Sequence, residues 1–360
     1  MLTMFLTGCR PHSFYSYELV KSDCKEFRLD EWTTPNSFST RFFSNESGDY
    51  YIHYNKNTNV VYYYDFWSCQ LLGWIDFSGN YPRPYNLFFH SFDTIVFFYS
   101  LPKNYIVISD SSKVEKYFKN SGATLNFKEQ RSVIDGSNTR PILFRGRHLF
   151  YSTLLLTEYQ KDDDFICALG GSIDLDSLSR NNFIYYPEIY NKHNWGLVYH
   201  RMQSHCFDEE YMLVSFPASD YIYRYSLKDL QIDSILAKSE LTGRIRPYRK
   251  GRIAQFDLGK TIRYYLKSPA YSSIYFDPYK NLYYRFVEHG RKGPITDYSF
   301  LLKELSVIIL DKEMKRIGES YIGSDYYSNN CMVTRDGLYI RFHNKDEDKI
   351  VYHKFELKKI

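Results

Sequence analysis

A short phrase recurs along the chain: a turn carrying Asp, Gly or Asn, an aromatic-rich run, a second turn, and another aromatic-rich run that often closes on Asp. Its copies are Asp49 to Tyr54 with Val60 to Asp65, Asp93 to Phe98 with Tyr105 to Asp110, Tyr211 to Phe216 with Tyr221 to Tyr225, Leu282 to Phe286 with Ser306 to Asp311, and Gly337 to Phe342 with Ile350 to Phe355. Strand-only units that repeat at a period of roughly 50 residues are the mark of propeller blades. Composition agrees with an all-β chain. Tyr (37) and Phe (27) are abundant, and aromatic and β-branched side chains suit a pleated, half-buried surface.

With the phrase taken as the second and third strands of a blade, an inner and an outer strand can be placed around each copy. The expected fold is a six-bladed β-propeller in one domain over residues 10–360, with seven blades as the alternative should the stretch from Ser121 to Asn194 hold another. The third blade is the least regular: Pro141 to Phe144, His148 to Leu156, an acidic turn at Asp162, Asp163 and Asp164, then Phe165 to Leu175. The last blade lacks an outer strand because the sequence stops at Ile360. The N-terminal run from Phe14 to Val20 has no blade of its own, so it is expected to supply that strand and close the ring; an uncovered edge would invite aggregation.

Net charge is +4 over 360 residues, too mild to imply a nucleic-acid partner without a clustered patch. No apolar run has the length of a membrane-spanning helix. Residues 1–9 are apolar and place Cys9 directly after Leu6-Thr7-Gly8, which resembles a truncated bacterial lipoprotein signal with its lipobox. That resemblance implies acylation of Cys9, export, and anchoring to a membrane in the periplasm or at the cell surface. The remaining cysteines, Cys24, Cys69, Cys167, Cys206 and Cys331, form no CxxC pair, which argues against a zinc knuckle or a thioredoxin-type site.

Three further segments are similar to the hallmark stretches of a Bacteroidota lipoprotein family, domain of unknown function 4221. They are Asn194-Trp195-Gly196, Ser215-Phe216-Pro217-Ala218-Ser219-Asp220-Tyr221-Ile222-Tyr223 and Tyr275-Phe276-Asp277-Pro278-Tyr279-Lys280-Asn281-Leu282-Tyr283-Tyr284-Arg285. Val307 to Asp311 with Ile317-Gly318-Glu319 fits the same pattern. The resemblance implies a propeller and an exported, anchored location, with no activity known. The same residues have a plain physical reading: Asp caps a turn, Pro presets its backbone, and Asn tolerates the left-handed region.

The most unusual chemistry lies between the fourth and fifth blades. Arg244, Arg246, Arg249, Lys250, Arg252, Lys260, Arg263 and Lys267 stand against the single acid Asp257, a local charge of +7. Arg244, Arg246, Arg249, Lys250 and Arg252 are therefore the candidate ligand-binding residues, for an anionic group held through paired guanidinium donors. His200, His205 and Cys206, with Asp208, Glu209 and Glu210, are the nearest approach to a metal set, yet they fit a turn better than a ligand cage. Asp162 to Asp164 lack the calcium-loop spacing. Neither a GxSxG elbow nor a phosphate loop is present, so no cofactor is expected and catalytic residues stay unassigned. Trp32, Trp67, Trp74 and Trp195 are candidates for stacking on sugars or peptides, or for core positions. The expected role is a cell-envelope module that binds a glycan, a peptide or an envelope protein. The alternative is a metal-dependent, lactonase-like hydrolase with its site on the propeller axis.

Overall fold

The computed structural model describes residues 16–37, 39–79, 84–99, 105–109, 114–119, 132–155, 168–177, 179–191, 193–196, 198–250, 258–295 and 302–360. Cys9, Cys167, Arg252 and the acidic turn at Asp162 to Asp164 lie outside them. Strand β1 (Tyr17–Arg28) comes first in the chain. The first sheet is β2 (Thr40–Asn45), β3 (Gly48–Asn55), β4 (Val60–Asp65) and β5 (Leu71–Asp76); the second is β6 (Asn86–Ser91), β7 (Thr94–Tyr99), β8 (Tyr105–Ser109) and β9 (Val114–Lys119). The third holds β10 (Ser132–Asp135), β11 (Leu143–Arg145), β12 (His148–Leu155), β13 (Gly170–Asp174) and β14 (Arg180–Ile184). After β15 (His193–Asn194) follow β16 (Ser204–Phe207), β17 (Tyr211–Ser215), β18 (Tyr221–Ser226) and β19 (Ile232–Leu236) as the fourth. Next, β20 (Arg249–Lys250) pairs with β15, and helix α1 (Leu258–Lys267) leads to β21 (Ala270–Asp277), β22 (Leu282–Glu288), β23 (Leu305–Leu310) and β24 (Arg316–Gly323). The last sheet is β25 (Tyr326–Thr334), β26 (Gly337–Phe342) and β27 (Lys349–Lys359), completed by β1.

This is an all-β propeller, and where six blades were expected the described residues form five regular ones. Among the described residues five sheets have the regular four-stranded form, and the third departs from it. There the inner position is split: β10 pairs with the far half of β12, Asp135 opposite Ser152, while β11 pairs with the near half, Leu143 opposite Phe150. The stretch Pro141 to Phe144 is therefore not the inner strand by itself. Residues 136–142 leave the ladder between the two halves. Only glycine fits at 136, since a Cβ there would meet Phe98 Cε2 at 2.4 Å.

Why the middle strands read as continuous aromatic and aliphatic runs follows from packing on both faces. Successive residues of β3 and β23 point to opposite neighbours, as period-2 alternation requires. Tyr51 packs with Phe27, Met332 and Tyr352, whereas Ile52 and Tyr54 pack with Leu87 and Phe97. Val307 and Ile309 join one cluster with Leu338 and Ile340; Ile308 and Leu310 join another with Leu213 and Ile222. Each apolar cluster thus lies between sheets consecutive in the chain, and the Phe27 cluster joins the last sheet to the first.

The closing strand is longer than the run from Phe14 to Val20. Tyr17 to Arg28 pair antiparallel with Lys359 to Lys349, with a shift in register between Lys21 and Asp23. Its described cysteine, Cys24, is exposed and free, as Cys69, Cys206 and Cys331 are free.

Helix α1 is a departure from the strand-based reading of the Arg244 to Lys267 connection. Thr261, Tyr265 and Leu266 are its buried residues, a spacing that lays one helical face on the ring. It ends where Pro269 follows Ser268, since the residue before proline disfavours helical backbone. No helix among the described residues is long and apolar enough to cross a membrane.

Candidate functional site

The inner strands carry short polar side chains where the middle strands carry aromatic ones. Thr40, Asn86, Asp135, Ser204, Ser273, Ser328 and Asn330 are buried and Ser272 is half-buried, and they meet around the axis. Ser204 Oγ donates to Ser272 O at 2.8 Å, Ser272 Oγ and Ser328 Oγ are 2.8 Å apart, and Asn86 Nδ2 donates to Asp135 Oδ1 at 2.8 Å. Small side chains here leave space, and their hydroxyls and amides make it a polar one.

That space is divided. Residues 136–142, which leave the third sheet, reach across the axis: Asn138 Nδ2 donates to Thr40 Oγ1 at 2.8 Å, and Thr40 N donates back to Asn138 Oδ1 at 2.8 Å. On the other side, His205 N donates to Thr139 O at 2.9 Å, and Arg140 Nη1 donates to Gln203 O at 3.2 Å. Arg140 also pairs with Asp135 at 2.7 Å, so the crossing loop is anchored by a buried, hydrogen-bonded ion pair. Below it lies a cavity of about 190 Å³ with Phe88, Tyr275 and Met332 on its wall. Above it lies one of about 460 Å³, within the roughly 300–1,000 Å³ range of small-molecule sites.

The larger cavity is roofed by aromatic side chains and walled by Ser, Asn and Tyr. Tyr199, from the turn before β16, stacks on Tyr265 of α1 at 4.6 Å between ring centroids, and both line it. Among the described residues four charged ones line it: Arg140, Glu288, Lys303 and Arg341. Glu288 is saturated, accepting from Ser328 Oγ at 3.0 Å, Tyr265 OH at 2.9 Å and Lys303 Nζ at 3.2 Å. Lys303 donates also to Tyr265 O and Ser268 O, at 3.2 and 3.1 Å, and sits 4.0 Å from the Tyr265 ring centroid. Burial lowers its pKa from the usual lysine value.

Arg341 differs from these. It is 6% exposed, and among the described residues its Nε is enclosed without an acceptor and its one hydrogen bond, Nη2 to Asn36 Oδ1, is 3.4 Å long. Its guanidinium lies 4.6 Å from the Tyr327 ring centroid, and Tyr327 is held by a 2.8 Å contact from its hydroxyl to His343 Nδ1. In the aromatic phrase Arg341 stands where Arg285 stands one blade earlier. Arg285 is fully used: it donates to Ser215 Oγ and to the carbonyls of Ser219, Asp220, Tyr221 and Ala237 at 2.7–3.3 Å.

The residues singled out in the sequence fall elsewhere. Arg244 and Arg246 are exposed, and Arg249 and Lys250 form β20 against His193 and Asn194. Neither Arg244 nor Arg246 lines the axial cavity; their connection contributes Tyr265 to it instead. His205 Nε2 donates to Pro141 O at 2.7 Å, and Asp208 accepts from Tyr283 OH at 2.6 Å, so this cluster is structural. Among the described residues no three His, Cys, Asp or Glu side chains converge as metal ligands. Trp195 is buried in the core, while Trp32, Trp67 and Trp74 are exposed.

Three buried histidines stay neutral. Burial pushes His53 down to about 4, and His200 and His205 to about 3. At His53, Nε2 donates to Thr34 O at 3.0 Å and Nδ1 lies 3.2 Å from Tyr51 OH, contacts that a neutral ring satisfies. Below the ordinary value of 6.5 the unfolded chain takes up protons that the fold refuses. Stability is therefore full above about pH 6.5 and falls as the pH drops toward 4, by up to about 1.4 kcal/mol per unit for each histidine. Thermal midpoints taken from about pH 7.5 to 4.5 should fall accordingly, and His53→Asn should flatten the slope; a flat profile in the parent protein would contradict the burial argument.

The fold and its hollow axis define a β-propeller with a polar axial cavity. The chain belongs to the family described as Domain of unknown function (DUF4221), whose profile matches residues 16–321. It is similar to the crystal structure of a member of that family from Bacteroides vulgatus at 22% identity, with 96% of this chain and 99% of that one covered and a TM-score of 0.78. A second similar structure, titled "Putative exported protein", is from Bacteroides fragilis, at 10% identity and a TM-score of 0.54, covering 96% and 95% of the two chains. At these identities the likeness speaks for the fold alone. No curated protein matches the chain.

Proposed function

We propose that this chain is an exported binding module whose ligand occupies the upper axial cavity, and that acylation of Cys9 anchors it to the cell envelope. The observation that carries the reading is the cavity of about 460 Å³ with its ring of serine hydroxyls and asparagine amides under an aromatic roof. An axis needed only for stability would be closed by larger side chains, since interiors are packed with few voids larger than water. The interrupted third sheet is read here as a sixth unit of the ring whose inner strand has been given over to flooring that cavity. Export is supported by the lipobox-like start and by the description of the Bacteroides fragilis neighbour. The hydrolase reading has less support, because the charged side chains on the cavity wall are three cations and one saturated carboxylate.

Native mass spectrometry of the protein recovered from its own envelope tests the reading. A small-molecule adduct is expected on the parent protein and should vanish in Met202→Trp, which puts an indole into the cavity at a wall position that is only partly buried. Absence of any adduct, or one indifferent to Met202→Trp, would move the ligand site off the axis.

A further inference from the structure

We propose that the ligand of the axial cavity bears a carboxylate and that Arg341 receives it. This rests on the reading of the cavity as a ligand site. The charges on the wall are the starting point. Arg140 has Asp135 at 2.7 Å and Lys303 has Glu288 at 3.2 Å, so two of the three cations are matched by a protein acid. Arg341 has none among the described residues, which leaves the cavity one positive charge in excess.

A buried cation without a counter-charge is costly, by several kcal/mol in the usual case. The side chains around Arg341 do not relieve it. Tyr327 and Tyr51 are phenols whose pKa values are raised, chiefly by burial, and His53 is held neutral by burial. The Tyr327 ring gives a cation–π contact, worth far less than an ion pair in a dry site. Among the described residues Nε of the guanidinium has no acceptor, and Nη2 makes only the long contact to Asn36. The planar fork suits the two oxygens of a carboxylate. Arg285 shows that this fold can saturate an arginine at the same place in the phrase, with five acceptors, so the bare donors at Arg341 belong to that site and not to the repeat.

The rest of the wall indicates what the carboxylate is attached to. Asn36, Ser37, Asn329 and Ser328 line the same cavity and can exchange hydrogen bonds with hydroxyl groups. Ser137 Oγ, on the crossing loop below, is enclosed without a partner. Together they fit a hydroxylated carboxylate such as a sugar acid.

The test is calorimetric titration and thermal shift of the full chain with sodium D-galacturonate, sodium D-gluconate and sodium acetate, each against D-galactose. The variants are Arg341→Gln, Arg341→Lys and, as a control on the exposed connection, Arg246→Gln. At least one carboxylate should bind the parent protein and raise its midpoint while galactose does not. Arg341→Gln should weaken that binding by about ten- to a hundredfold, the range for a charge-assisted hydrogen bond. Arg341→Lys should fall between, and Arg246→Gln should match the parent. Without ligand, Arg341→Gln should unfold no earlier than the parent, which shows that lost binding is not lost folding. The proposal is overturned if no carboxylate binds better than galactose, or if Arg341→Gln binds the carboxylate as the parent does. A neutral adduct that Met202→Trp removes and Arg341→Gln retains would overturn it while leaving the cavity as the ligand site; no adduct at all would remove both.

Discussion

Phe27→Ala will destabilise the protein by about 3–5 kcal/mol, seen as a lower denaturant midpoint with an unchanged slope. Phe27 is the clasp residue of β1. It is fully buried, with ring centroids of Tyr51 at 4.1 Å, Tyr64 at 5.6 Å, Phe66 at 6.1 Å and Tyr352 at 6.2 Å. Tyr51, Tyr64 and Tyr352 belong to the first and last sheets and Phe66 to the turn after β4, so the cavity left by alanine would open at the seam of the ring. Rings packed edge-on from several sides cannot all move to fill it, which places the cost at the upper end for such substitutions. Trp32→Ala is the control. Its side chain is 68% exposed, and its loss should change stability by no more than about 0.5 kcal/mol. Equal effects of the two would mean that the β1 seam does not hold the ring.

Arg285→Met should cost about 3–5 kcal/mol, a comparable loss from a polar cause. Burial lowers the guanidinium only to about 10, so it is charged at neutral pH, and its charge is spread over four carbonyls and a hydroxyl of the fourth sheet. Methionine matches the length but donates nothing. The carbonyls of Ser219 and Ala237 would lose this donor in the buried interior, and those of Asp220 and Tyr221 in a half-buried place. Because these acceptors surround the turn between β17 and β18, the loss should also speed amide exchange there, which hydrogen-exchange mass spectrometry would read. A stable Arg285→Met protein with unchanged exchange at Ser219 to Tyr221 would contradict this account.

These two arginines show what could and could not be read from the chain. The phrases Tyr283-Tyr284-Arg285-Phe286 and Tyr339-Ile340-Arg341-Phe342 are nearly interchangeable as text, and His53 occupies the same place in Tyr51-Ile52-His53-Tyr54. A charged residue inside an aromatic strand buried on both faces was the available signal of a special site. What it could not reveal is which arginine finds acceptors, since those come from neighbouring sheets. The repeat itself was legible because middle strands must be apolar on both faces. The closing strand was legible because an N-terminal strand was left over and the last blade was one short. The axial cavity was not, since Ser204, Ser272 and Ser328 are ordinary small polar residues until three sheets bring them together. The third sheet resisted for a related reason: residues 136–142 carry no strand periodicity because their partners, Thr40, Gln203 and His205, lie across the axis.

The pairing of Tyr17 with Lys359 and of Arg28 with Lys349 also orders events during synthesis. Strand β1 finds its partner only when β27 has emerged, so the ring stays unlatched until the strands from β2 to β26 have all been made. A chain cut short anywhere before β27 loses the latch along with its tail, and presents two open edges, β1 and β26, for other chains to join.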